Sequence, residues 1–103
     1  NVLVLGITFK ENVPDIRNSK VIDIIQELKE FGINIHVYDP VADPSEVEEE
    51  YHIATVRSID NIKYDAIILA VKHQEFIENG PDFYTKKLSA NGILYDIKES
   101  FAG

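Results

Sequence analysis

Lys10 and Arg17 are the residues whose type and spacing point first to chemistry. Both fall between Gly6 and Asn18, after an apolar run, Val2 to Leu5, that reads as a buried strand. Strand-to-helix connections usually run about 2–6 residues, and longer ones tend to carry function. At the carboxyl end of a strand in an α/β protein, such a loop is where an anionic ligand would be held. Arg offers phosphate a planar fork and Lys a mobile point charge. On pattern alone, two solvated surface cations explain the pair equally well. Phe9 reads first as a core anchor holding the loop down, and second as a ring flanking a base or sugar. Asp15, in D-I-R-N-S, is placed to turn the chain locally or to brace Arg17. His73 follows a second apolar strand, with Glu75 and Phe76 nearby. It lacks a partner nucleophile, and His36 and His52 complete no recognisable metal spacing, so a structural role is favoured over a catalytic one. Lys98, in Y-D-I-K-E, is by its pattern an ordinary surface lysine. The acidic run at 46–50 reads as a solvated helix face without calcium-loop spacing. No residue reads as catalytic and none as a metal ligand.

These residues need elements to position them. Val21, Ile22, Ile25 and Leu28 make one face of a helix that Asn18 or Ser19 would cap and Phe31-Gly32 would close. Ile33, Ile35 and Val37 alternate with polar residues as a strand, and Asp39-Pro40 stops it. Asp43 or Ser45, with Pro44, opens a helix over 43–50. A short strand is expected around 53–56, then a turn or loop at 58–62. Residues 65–71 form the second strongly apolar strand. Helical patterns at 73–78 and 81–88 are broken at Asn79-Gly80-Pro81, and 92–96 is the last strand.

Alternating strands and helices imply a three-layer, Rossmann-like α/β fold, a parallel sheet with helices on both faces. The expected sheet has five strands in the order 3-2-1-4-5, with the two most apolar strands adjacent at its centre. The switch point between those two is the ligand-binding edge, and the opening loop, Lys72-His73 and Lys98 all belong there. G-I-T-F-K-E stands where G-x-G-x-x-G would, so the dinucleotide fingerprint is absent.

The totals narrow the classes. The 103 residues suffice for one domain. Lys and Arg number 10 against 18 Asp and Glu, giving −8, which argues against a nucleic-acid surface or an anionic membrane patch. A bound phosphate would therefore need locally gathered cations. The absence of Cys excludes disulfides, thiolate metal sites and cysteine nucleophiles within the chain. No apolar run approaches the ~20 residues of a membrane span, no signal peptide is visible, and the cytoplasm is the expected location. A chain that begins at Asn1, has no Met and enters a strand at once reads as a domain of a longer protein.

G-I-T-F-K-E-N-V-P-D-I-R-N-S-K-V-I-D-I-I resembles the start of the C-terminal, UDP-binding domain of the UDP-glucose/GDP-mannose dehydrogenase family. The pattern there is a strand, G-x-x-F-K, then D-x-R-x-S and a helix. The resemblance continues through V-Y-D-P at 37–40, A-V-K-H-Q-E-F at 70–76 and Y-D-I-K at 95–98, and so covers essentially the whole chain. E-N-V-P-D-I-R-N-S-K is most similar to the branch acting on UDP-N-acetylhexosamines for surface polysaccharide. The resemblance implies a parent enzyme that oxidises a sugar C6 alcohol to a carboxylate with two NAD⁺ through a cysteine-bound intermediate. The cysteine and the main NAD site would lie in an N-terminal domain of the same chain, and a linking helix would form a homodimer interface. An isolated domain is then inactive. Phe9 and Lys10 match the pair that contacts the UDP-sugar, and Arg17 matches an arginine that reaches NAD. Lys98 stands where the family commonly has an arginine on the nucleotide-sugar, a departure because a bidentate contact does not simply become a lysine contact. The alternative is a free-standing nucleotide-binding or regulatory α/β module without catalysis.

Overall fold

The computed structural model describes residues 1–59 and 63–97. Its elements are β1 (Val2–Leu5), α1 (Val21–Glu30), β2 (Ile35–Tyr38), α2 (Pro44–Tyr51), β3 (Tyr64–Leu69), α3 (Gln74–Thr85) and β4 (Leu88–Asp96). The strands form one parallel sheet in the order β2-β1-β3-β4. The two most apolar strands, β1 and β3, are adjacent at its centre, as their two-sided burial requires.

The sheet has four strands rather than the expected five. Around 53–56 only Thr55 bridges, beside Val37 of β2, with the Val56 amide donating to the Val37 carbonyl at 2.8 Å. The chain leaves α2 through His52 at φ 57 and reaches the β2 edge only at Thr55. Arg57 and Ser58 then lie exposed, so no ladder extends from the bridge. The bridge occupies the outer position that the expected order assigned to the third strand.

Side-chain alternation divides the core into two layers. Val4 and Val37 pack with Val21, Ile22 and Ile25 of α1 and Val47 of α2. On the other face, Leu3, Leu5, Ile67 and Leu69 pack with Phe76 and Tyr84 of α3. Helices therefore cover both faces, which is the expected three-layer arrangement.

Asp43 caps α2 by accepting from the Ser45 amide at 3.0 Å, with Pro44 in the first turn. Gly32 follows α1 at φ 78 and closes it. The expected break in α3 is present: Gly80 leaves helical geometry (φ 76, ψ 168) before Pro81, which has no N–H to donate. The second half of α3 ends at Thr85 rather than at 88, because Leu88 pairs with Tyr64 and β4 starts there.

The cap of α1 differs from expectation. Lys20 occupies the N-cap position with no side-chain cap bond. Asn18 takes a left-handed φ of 60 that turns the chain, and the Ser19 hydroxyl is buried without a hydrogen-bond partner.

Candidate functional site

Residues 6–20 run across the carboxyl ends of β1 and β3, the switch point of the sheet. Ile7 and Ile16 hold this loop down, both fully buried, and the Tyr51 hydroxyl donates to the Ile16 carbonyl at 2.7 Å. Phe9 is not the anchor it first appeared to be: it is 58% exposed. The aliphatic pair was the better signal, since an isoleucine in a loop has no polar reason to be there. Within the loop, the Phe9 amide donates to the Asp15 carbonyl at 2.8 Å, so residues 9–15 form a closed turn with Phe9 and Lys10 on its shoulder.

Beside that shoulder lies a crevice of about 260 Å³. Thr8 and Lys10 line it from the loop, Ser19 and Lys20 from the start of α1, and Ala70 and Lys72 from the chain leaving β3. Three of the 10 Lys and Arg residues of a −8 chain thus surround one opening, which is the local gathering of cations a phosphate requires. Glu11 is the acid among the lining residues. The first-turn amides of α1 have no intrahelical partner by construction, and their dipole favours an anion. Lys20 and Ser19 were not singled out from the sequence, where Ser19 read only as a cap.

Arg17 stands apart from the crevice lining, its side chain 81% exposed. Its Nε and Nη2 donate to Asp15 Oδ1 and Oδ2 at 3.1 and 3.3 Å, the bracing expected of Asp15. Those bonds hold the Asp15 carboxyl below its ordinary range. Lys98 lies outside the described residues.

Under the loop is a buried polar network that sequence reading did not assemble. Asp39 follows β2 and read only as a strand stop. Its Oδ2 accepts from the amides of Ile7 (2.7 Å) and Thr8 (3.3 Å) and from His73 Nε2 (2.9 Å). Its Oδ1 accepts from the amides of Val41 (2.7 Å) and Ala42 (2.9 Å). His73 is fully buried, and its Nδ1 accepts from the Asn12 amide at 2.9 Å. An amide only donates, so Nδ1 is bare and Nε2 carries the proton: the imidazole is the neutral Nε2–H tautomer. The Asn12 side chain in turn accepts from the Gln74 amide at 2.7 Å, capping α3 from across the loop. Proton transfer to a ligand is not open to an imidazole with both nitrogens so occupied, which agrees with the structural reading of His73.

A second cavity of about 190 Å³ lies on the α3 side, where the Tyr38 hydroxyl donates to Glu75 Oε2 at 2.7 Å. Burial, with that bond, pushes the Tyr38 hydroxyl well above its ordinary value. Arg57 is its basic side chain, and Glu75 stands against it, so this cavity suits a phosphate less well. Among the described residues, no group of three His, Asp or Glu side chains is placed to hold a metal ion.

Residues 3–102 match the pattern of the UDP-glucose/GDP-mannose dehydrogenase family, UDP binding domain. The chain is 45% identical over 97 residues to a UDP-N-acetyl-D-glucosamine 6-dehydrogenase of Pseudomonas aeruginosa, covering 94% of this chain and 23% of that protein. It is 43% identical over 98 residues to the enzyme of the same name in Salmonella typhi, covering 95% of this chain and 23% of that one. The chain thus spans about a quarter of the length of these relatives. A derivative structure of the UDP-N-acetyl-mannosamine dehydrogenase Cap5O from S. aureus superimposes with a TM-score of 0.67 at 22% identity, over 97% of this chain and 26% of that one, a likeness of fold.

Proposed function

This chain belongs to the UDP-glucose/GDP-mannose dehydrogenase family as its UDP-binding domain, and from that premise we propose that it is the substrate-holding part of an NAD-dependent UDP-sugar 6-dehydrogenase. The parent enzyme oxidises the C6 alcohol of a UDP-sugar to a carboxylate for surface polysaccharide precursors, in the cytoplasm. The relatives named for UDP-N-acetyl-D-glucosamine support an N-acetylhexosamine as the sugar.

The lysine-lined crevice at the β1/β3 switch point carries this reading. The diphosphate fits there, between Lys10, Lys20 and Lys72 and against the start of α1. Phe9, exposed on the shoulder of the loop, offers its ring to the uridine or hexose, and Lys98 is the further nucleotide-sugar contact of this reading. An N-terminal NAD-binding domain of the same chain would complete the site and exclude water. The contribution of this domain is then to fix the hexose C6 in place, an effect on proximity rather than on bond making. The full enzyme is proposed to be a homodimer.

NAD, when bound, supplies the hydride acceptor. This chain has no glycine cradle for it, and the exposure of Arg17, braced by Asp15, supports an edge contact to an anionic group of NAD. In the complete dehydrogenase, Lys10→Ala is expected to raise the KM for the UDP-sugar about tenfold, the worth of one exposed charge-assisted hydrogen bond. Turnover falls by no more than that. Unchanged steady-state kinetics would contradict the assignment. Arg17→Ala should instead raise the NAD⁺ concentration needed for saturation. A defect confined to the UDP-sugar would move Arg17 to the other ligand.

A further inference from the structure

The buried imidazole of His73 is used by none of the contacts proposed above, yet it lies directly under them. We propose that His73 is the positioning residue of the Phe9–Lys10 pair: it sets, through the backbone of Asn12, where Lys10 stands when the UDP-sugar arrives. This rests on the assignment of Phe9 and Lys10 to that ligand.

Asn12 is held twice at the start of α3. Its amide donates to His73 Nδ1 at 2.9 Å, and its side chain accepts from the Gln74 amide at 2.7 Å. It also adopts a φ of 62, a conformation a free chain would not favour. The other end of the same turn is tied to the same imidazole. His73 Nε2 lies 3.1 Å from Thr8 Oγ1, and that hydroxyl donates to the Lys10 carbonyl at 2.9 Å. Lys10 therefore sits between two points, Thr8 and Asn12, that both contact one buried ring. Asp39 fixes the ring from behind. A loop ordered before binding pays no ordering entropy when the ligand comes, and so binds more tightly.

The two ring nitrogens have separate tasks, and two substitutions separate them. His73→Asn places an acceptor near the position of Nδ1 and loses the bond to Asp39. His73→Gln places a donor near the position of Nε2 and loses the grip on Asn12. The bond to the ionised Asp39 is the stronger of the two, so His73→Asn is the less stable variant. If His73 only held the fold together, UDP affinity would follow stability. If it positions the loop, the orders cross: His73→Gln is the more stable protein and the weaker binder.

The measurement is a titration of the complete dehydrogenase with UDP, with hydrogen exchange at the Asn12 amide and thermal unfolding of each variant. Expected are a roughly tenfold loss of UDP affinity and faster Asn12 exchange in His73→Gln, as for the loss of one organising hydrogen bond, with affinity near that of the parent chain in His73→Asn. Affinities that follow the stabilities, or equal Asn12 protection in both variants, would overturn the proposal. Should His73→Asn fail to fold, unchanged affinity and exchange in His73→Gln overturn it alone. Lys10→Ala in the same titration tests the underlying assignment separately. If that variant binds UDP as the parent chain does, the ligand assignment fails, while Asn12 exchange still reports whether His73 holds the loop.

Discussion

Asp39→Asn is expected to cost the domain about 3–5 kcal/mol at neutral pH, the worth of about two buried hydrogen bonds to a charged group replaced by donor–donor contacts. The carboxylate accepts five hydrogen bonds, four from backbone amides and one from His73. An asparagine keeps one oxygen and turns the other acceptor into a donor, facing donors on every side. The four amides belong to the turns after β1 and β2, so the loss loosens the loop and the α2 entrance together. The pH dependence follows from the position of the Asp39 titration. Burial works to raise it, but the bonds from His73 and from the Ile7 and Ala42 amides outweigh burial and hold it below its ordinary value of 3.8. A carboxyl lowered in the folded state contributes fully above its unfolded value and loses that contribution as pH falls through the folded one. The stability gap between the parent chain and Asp39→Asn should therefore be constant from pH 7 to about 5 and narrow below about pH 4. Denaturant unfolding at several pH values checks this. A gap that widens on acidification would contradict it.

Gly6→Ala should cost about 3 kcal/mol, the sum of a left-handed conformation at about 1–2 and overpacking at about 1–3. Gly6 has φ +96, and an added Cβ would meet Val71 Cβ at 2.6 Å and Val71 N at 3.0 Å. Neither neighbour gives way easily. The Val71 and Ala70 amides both donate to the Leu5 carbonyl, at 3.3 and 2.9 Å, and lock that segment to the end of β1. This close approach brings the loop after β1 and the chain after β3 to either side of the crevice. In a domain of this size the expected drop in Tm is roughly 12–24 °C. Gly32→Ala is the internal comparison: its φ is +78, but no atom lies within 4 Å of the added Cβ. It should lose only the conformational part, about 1–2 kcal/mol. Equal losses at both positions would mean that the Val71 contact contributes nothing.

Much of the architecture was legible because it depends on local period and on capping chemistry. The apolar runs at Val2–Leu5 and 65–71, of which the second forms a strand over Tyr64–Leu69, the Asp43-Pro44 helix start and the break at Gly80-Pro81 are each set within a few residues. The strand expected around 53–56 was not settled in this way, because a strand exists only by pairing, and only Thr55 meets β2. Phe9 was misplaced because hydrophobicity reports that a ring prefers burial, not that Ile7 and Ile16 already fill the space beneath the loop.

By itself, the order of residues determined the alternation of strands and helices, the central pair of strands, the long loop with Lys10 and Arg17 and, through F-K and D-I-R-N-S, the family. Those properties are local, set by neighbours in the chain. Tertiary structure alone decided that Lys20 joins Lys10 and Lys72 around one crevice, and that Asp39, 34 residues before His73, closes on it beneath the loop. The reason is geometric. A parallel sheet brings every strand's carboxyl end to one edge, and which side chains meet there depends on register and crossover, quantities that no window of sequence contains.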